Sequence, residues 1–312
     1  MIKHFLSLSD LSKADLRAIL DDAHAMKAAR LGQPKGALDK DPALSGHTLA
    51  LIFEKSSTRT RFSFDMGIRQ LGGSSITATS SDMQLGRGES AADTVRVLSR
   101  FVDGIMLRAN SHDTLTELAT YSDVPIINGL TDYNHPCQIM ADLMTLEERA
   151  KATHGKDLSE MTLSWIGDGN NVLVSFVNAA AQLGYALRIS SPEGYRVNGQ
   201  TLEAAKAKGA NITADLTPAE AAKGADALIT DCWVSMGDTD KEERLAAFPP
   251  YQIDQKLLKT AAPDAAFLHC LPAYRGQEMT AEVFEGPQSV VWDEAENRMH
   301  AQKAVIKWCF GK

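Results

Sequence analysis

The sequence has no cysteine pair at C-x-x-C spacing and no apolar run of membrane-spanning length. Its four cysteines, Cys137, Cys232, Cys270 and Cys309, lie far apart. In a chain this long that spacing argues against a disulfide framework and for reduced thiols. No stretch approaches the roughly 18 consecutive apolar residues that a spanning helix requires. The start, MIKHFLSLSDLSKADL, has no long apolar core and soon turns polar, so an untargeted cytoplasmic protein is expected. Base is in deficit: 32 Lys and Arg against 40 Asp and Glu give a net charge of −8, which argues against nucleic acid and anionic membrane as partners. A local basic cluster can still hold a small anion. Low-complexity tracts and short repeats are also missing.

What is there is an ordinary globular balance, 44% hydrophobic and 23% charged, over 312 residues. Such a length predicts two domains. Short apolar runs alternate with helical periodicity. TLALIF (48–53), SSITAT (74–79), GIMLR (104–108) and VPIIN (124–128) read as strands. Helices begin at Ser12-x-x-Asp15 and Ser90-x-x-Asp93; another, marked by Phe64, Ile68 and Leu71, ends at Gly72-Gly73, and a further one opens at Pro136. After a polar stretch near 151–157 the alternation resumes with TLSWIG (162–167), a helix over Asn171 to Leu183, then ALRIS (186–190), NITA (211–214), ALIT (227–230), AFLH (266–269) and SVVW (289–292). A closing helix is expected from Glu294. Strands alternating with helices imply parallel sheets. The expected fold is therefore α/β, two domains each with a parallel sheet flanked by helices, divided near residues 145–160.

Six polar clusters, STRT, Arg108, HPCQ, GDGNN, DCWVSMG and HCLP, fall at or just after predicted strands. Ligands of open parallel sheets bind outside the carboxyl ends of strands, so a cleft served by both halves is expected. Residues 56–61, SSTRTR, place four hydroxyls and two arginines at a strand-to-helix junction. A helix start presents unpaired N–H groups and partial positive charge; Ser57, Thr58 and Thr60 add donors and Arg59 a fork, which together suit a phosphate. A capped helix with solvated arginines accounts for the same residues.

His135 is suited to donate to a developing oxyanion and Gln138 to hold an amide, although a structural histidine also fits. Zinc held by His135, Cys137, His269 and Cys270 would lack the usual short ligand spacings. GDGNN (167–171) invites a dinucleotide reading, but Val172 stands where the fingerprint needs its third glycine. Adjacent asparagines can instead hold a substrate carboxylate or amide. Asp231 suits an ammonium group; Ser235, Met236 and Cys270 complete the polar loops, and EAENR (294–298) puts Arg298 on the first turn of the last helix. Each of these taken singly is also a solvated acid, a buried thiol or a surface arginine.

In this order, FEKSSTRTRFSF, HPCQ, WIGDGNN, DCWVSMGD, FLHCLP and EAENR resemble the motifs of the ornithine carbamoyltransferases, within the aspartate/ornithine carbamoyltransferase family, and the resemblance covers essentially the whole chain. It implies a carbamoyl-phosphate-binding domain over 1–148, joined by the last helix (294–312), and an ornithine-binding domain over 149–293. Ser57, Thr58, Arg59 and Thr60 would hold the phosphate, with Gln84, Arg108, His135 and Gln138 toward the carbamoyl end. Asn171, Asp231, Ser235 and Met236 would hold ornithine, and Cys270, Leu271 and Arg298 would also contact carbamoyl phosphate and close the reacting centre. Arg108, His135, Asp231 and Cys270 are the expected catalytic set. The resemblance further implies citrulline and phosphate as products, no metal or organic cofactor, and a homotrimer or an assembly of trimers. A related amine acceptor, such as putrescine or N-acetylornithine, is the nearest rival; a nicotinamide-dependent dehydrogenase and a non-catalytic relative are more distant ones.

Overall fold

The computed structural model describes residues 2–83, 88–235 and 237–312. The described chain forms two compact units: residues 1–141 with 297–312, and residues 142–296.

The first unit is built on β1 (Thr48–Phe53), β2 (Ser74–Thr79), β3 (Gly104–Arg108) and β4 (Ile126–Leu130), in the order β2-β1-β3-β4 with every pair parallel. β1 is buried along nearly its whole length, as expected for a strand covered on both faces. β2 lies at the edge and exposes alternate residues. α1 (Lys13–Ala29) is capped by Ser12, α2 (Thr58–Gln70) by Ser57, α3 (Ala91–Leu98) by Ser90 and α4 (His112–Tyr121) by Ser111; each serine hydroxyl accepts a first-turn N–H and fixes where the helix begins. α5 (Pro136–Thr153) opens on proline, whose missing N–H costs nothing there. The boundary between the units falls within α5.

The second unit carries β5 (Thr162–Ile166), β6 (Ala186–Ser190), β7 (Ile212–Thr213), β8 (Ala227–Thr230) and β9 (Ala266–His269), parallel throughout in the order β7-β6-β5-β8-β9. Its helices are α6 (Asn171–Leu183), α7 (Gly199–Ala207), α8 (Pro218–Ala222), α9 (Lys241–Ala247), α10 (Gln255–Leu258) and α11 (Ala281–Phe284). Buried apolar residues fill the space around the sheet, among them Ile166, Leu228, Phe267, Val283, Phe284 and Val291.

Three expectations need correction. VPIIN begins pairing only at Ile126, two residues late, because Pro125 lacks the N–H a ladder requires. SVVW is not a strand: Ser289 makes one isolated bridge to Phe267, and α12 (Val291–Cys309) starts at Val291 with Asp293 and Glu294 in its first turn, where acids favour a helix. α12 therefore begins before Glu294, and Arg298 lies past its first turn rather than within it.

In each sheet the chain reverses its direction of strand addition once, between β1 and β3 in the first and between β5 and β8 in the second. The loop leaving β5 is held tightly there. Gly169 N–H donates to the Tyr195 carbonyl at 2.8 Å, and a Cβ at Gly169 would come within 2.2 Å of the Val197 backbone nitrogen and 2.4 Å of the Arg196 carbonyl carbon. Backbone cannot retreat as a side chain can. Replacing Gly169 with Ala is therefore expected to cost roughly 2–3 kcal/mol, read as a lower urea midpoint at unchanged m-value.

Candidate active site

In the first unit, the switch point between β1 and β3 has the start of α2 on one side and Arg108, the last residue of β3, on the other. Ser57 accepts the Thr60 N–H at 3.3 Å, setting the first turn, which contains no acid. Thr58 is exposed and Arg59 half-buried. Thr60 is buried, and its Oγ1 accepts from Arg298 Nη2 at 2.8 Å and from Arg108 Nη1 at 3.4 Å. With both lone pairs engaged, the Thr60 hydroxyl has its hydrogen to offer a ligand. Arg298 also donates to Gln138 Oε1. Residues from α2, β3, α5 and α12, distant in sequence, thus form one cluster, and Arg298 is only 3% exposed.

His135, 5% exposed, precedes α5. Burial pushes its imidazole well below the ordinary value, and the Arg298, Arg108 and Arg59 charges push the same way. The ring is held neutral, an N–H donor rather than a cation. Guanidinium groups without a carboxylate in the adjoining helix turn, a helix start, a hydroxyl and a neutral imidazole form a receptacle for a dianion that also bears a carbonyl oxygen. Cys137, by contrast, donates to the Asn128 carbonyl at 3.3 Å and is pushed up to about 12 by burial, which describes a packed thiol.

The second unit's switch point joins the loops after β5 and β8. Asn170 caps α6 through its Oδ1, which accepts the Val172 and Leu173 N–H groups, while its Nδ2 donates to Asp231 Oδ2 at 2.8 Å. Asp231 Oδ1 accepts the Cys232 N–H at 2.7 Å and the Cys270 thiol at 3.0 Å. Asp231 is 7% exposed. Burial raises the Cys270 thiol well above its ordinary value, and the Asp231 charge adds to this. Cys270 therefore stands as a protonated donor to Asp231, not as a thiolate. Leu271 follows with φ of +60°, a strained setting for a residue with a Cβ, and its N–H donates to His269 Nδ1 at 2.9 Å. Asn171 is the first residue of α6, and Ser235 donates its N–H to Asp238 Oδ2 at 2.7 Å. Gln84 and Met236 lie outside the described residues.

The expected residues thus fall into two sets. Ser57, Thr58, Arg59, Thr60, Arg108, His135, Gln138 and Arg298 belong to the first unit; Asn171, Asp231, Ser235, Cys270 and Leu271 belong to the second. Sequence reasoning passed over Asn170, although the asparagine pair drew attention to it, and over Arg244. Arg244 donates to Asp168 Oδ2 and Asp240 Oδ1, both at 2.9 Å, and to the Trp233 carbonyl at 3.1 Å, tying the loop after β8 to the loop after β5. The dinucleotide reading of GDGNN loses its footing: the bareness of Gly169 serves the backbone of residues 195–197, and Val172 is buried in α6.

Family models also match the chain in two parts, but they count the last helix, with Arg298, in the second part. Residues 3–148 match the carbamoyl-phosphate-binding domain of the aspartate/ornithine carbamoyltransferases, and residues 159–309 match their aspartate/ornithine-binding domain. An ornithine carbamoyltransferase of Rhizorhabdus wittichii is 54% identical over 312 residues, covering 100% of this chain and 99% of its own. One from Caulobacter vibrioides is 54% identical over 309 residues, covering 99% and 98%. Among solved structures, the ornithine carbamoyltransferase of Pyrococcus furiosus superposes with a TM-score of 0.91 at 42% identity, covering 99% of this chain and 97% of that one. The anabolic enzyme of Campylobacter jejuni gives 0.89 at 40%, covering 99% of each. By class the chain is a carbamoyltransferase. Within that class it belongs to the aspartate/ornithine carbamoyltransferase family.

Asp168 supplies a stability test. Burial raises its carboxyl from 3.8 to about 6 despite Arg244. A raised acid pKa means that the folded state binds the proton more tightly than the unfolded one, so this group's contribution falls as pH rises from about 4 to about 6. Across that window Asp168→Asn is expected to gain stability relative to the parent, followed by urea unfolding at each pH.

Proposed function

We propose that this enzyme transfers the carbamoyl group of carbamoyl phosphate to the δ-amine of L-ornithine, giving L-citrulline and phosphate, chiefly in the biosynthetic direction of arginine metabolism. The observation that carries the acceptor is Asp231. A buried carboxylate beside Asn170 and a thiol donor suits an alkylammonium, whereas an acidic acceptor would need cations there. The relatives bearing the name ornithine carbamoyltransferase support the same choice.

In this reading residues 1–148, with the closing helix, bind carbamoyl phosphate, and residues 149–293 bind ornithine. Ser57, Thr58, Arg59 and Thr60 hold the phosphate. Arg108, His135 and Gln138 hold the carbamoyl end, with Arg298 fixing Gln138 and Thr60. Asn171, Asp231 and Ser235 take ornithine, and Cys270 and Leu271 shape the reacting end. The roles of Gln84 at the carbamoyl end and Met236 at ornithine are proposed from their motifs.

The amine must attack uncharged. An alkylamine has a pKa near 10.4, so its neutral form costs about 4–5 kcal/mol at pH 7. Asp231 holds the ammonium by hydrogen bonding until the proton leaves. Cys270, already protonated, is no base, and the departing phosphate is the natural acceptor. The amine nitrogen bonds to the carbamoyl carbon, the bond from that carbon to the bridging phosphate oxygen breaks, and the electron pair leaves with phosphate. Charge that builds on the carbamoyl oxygen meets Thr60, Arg108 and the neutral His135, and Arg59 with the α2 terminus receives the leaving dianion. The activated donor supplies its own driving force toward citrulline, so the mechanism calls on no metal or organic cofactor.

We place the enzyme in the cytoplasm, consistent with its free cysteines and with the finding that no described helix is long and apolar enough to cross a membrane. We assign a homotrimer or an assembly of trimers. Phe62 and Phe101, 67% and 72% exposed, leave apolar surface on the first unit that association would cover. Light scattering on the purified protein is expected to give a multiple of three chain masses.

Citrulline formation from ornithine and carbamoyl phosphate, against putrescine and N-acetylornithine as alternative acceptors, tests the reading directly. Arg59→Ala is expected to raise the carbamoyl phosphate KM roughly tenfold to a hundredfold, the value of a charge-assisted hydrogen bond. Asp231→Asn is expected to depress ornithine use while carbamoyl phosphate affinity, measured by calorimetry, stays near the parent value. Equal losses for both substrates would contradict the assignment of two half-sites.

A further inference from the structure

Two loops of the second unit meet at the proposed reacting end, one leaving β8 with the ornithine groups Asp231 and Ser235, the other leaving β9 with Cys270 and Leu271. Neither loop is regular, and Leu271 is strained, so something must fix one against the other. Glu278 stands between them, fully buried. Its Oε1 accepts the Trp233 N–H at 3.3 Å from the first loop. Its Oε2 accepts the Tyr274 N–H at 2.8 Å from the second. His269 Nε2 lies 4.0 Å from Oε2, on the ring whose Nδ1 receives the Leu271 N–H. The backbone of Glu278 is anchored in turn: the Ile253 N–H donates to its carbonyl at 2.9 Å, and the Thr280 N–H returns to the Ile253 carbonyl at 3.1 Å. The same two loops are also joined by the Cys270 thiol donating to Asp231 and by the Cys232 thiol donating to the Pro272 carbonyl at 2.8 Å.

A carboxylate withdrawn from water is costly unless its oxygens receive hydrogen bonds. Glu278 receives both from backbone donors on different loops, although burial still raises its carboxyl to about 7, and each donor lies within four residues of Asp231 or Cys270. We propose that Glu278 is a positioning residue of the acceptor half-site: its carboxylate ties the loop after β8 to the loop after β9 and so sets Asp231 and Cys270 at bonding distance. Glu278 touches no substrate in this scheme; it acts through Asp231.

The proposal rests on Asp231 being the carboxylate that holds the δ-ammonium of ornithine, and the test separates the two. Glu278→Gln keeps the shape but turns an NH2 toward one of the two N–H groups. Expected is a rise of roughly tenfold in the ornithine KM, the loss of one buried charged hydrogen bond, with the carbamoyl phosphate KM within about twofold of the parent. Glu278→Asp keeps the carboxyl group and loses one methylene of reach, so it is expected to fall between Glu278→Gln and the parent. It also carries the test if Glu278→Gln does not fold. An unchanged ornithine KM in the variant that folds overturns the proposal. So does a parallel rise in both KM values accompanied by a lowered Tm, the mark of a merely structural residue. Asp231→Asn, assayed alongside, separates the two failures. If it impairs ornithine use and the Glu278 variants do not, only the positioning role fails; if it leaves ornithine use intact, the half-site reading fails and this proposal falls with it.

Discussion

Parallel pairing is the constraint from which the rest follows. When all strands of a sheet run one way, all their carboxyl ends lie at one edge, and every chemical loop must leave from that edge. The two sheets obey this without exception among the described strands. Each also reverses its order once, opening a crevice between two loops that diverge. The first crevice receives the α2 terminus and Arg108; the second receives Asn170 and Asp231. The same architecture yields opposite electrostatics, because what differs is only the residues set at the exits. Guanidinium groups gather in one unit and a buried carboxylate in the other.

Much of the fold was legible because buried parallel strands read as short apolar runs between turn residues. TLALIF, GIMLR, ALRIS, ALIT and AFLH matched in extent. Helix starts were legible wherever serine stood three residues before an acid, as at Ser12 and Ser90. SVVW misled because four apolar residues suit a strand or a helix equally, and only the acids behind them and the bridge geometry of Ser289 decide. The short helices of the second unit, such as α8 and α11, carry too little periodicity to be read from pattern alone.

The candidate site was legible where chemistry concentrates in a few adjacent positions, as in STRT or HPCQ. It was illegible where a side chain works through partners far away in sequence. Arg244 meets Asp168 across 76 positions and Glu278 meets Trp233 across 45; Arg298 was named through its motif, but not its bond to Thr60 across 238 positions. Nothing local marks Glu278 as more than a loop acid. Asn170 is an intermediate case: its capping role is a local property, but its bond to Asp231 is not. The protonation states of His135 and Cys270 were equally beyond a linear reading, since burial and neighbouring charge set them.

The cluster around Thr60 has one consequence for how the enzyme meets a changing environment. Its positive charge comes from arginines, which keep their protons throughout the physiological range, and its one titratable member, His135, is held uncharged. The cluster is thus electrically constant across the range in which an ordinary histidine changes its charge. Any pH dependence of anion binding across that range would enter from the ligand's side, through the anion's own protonation.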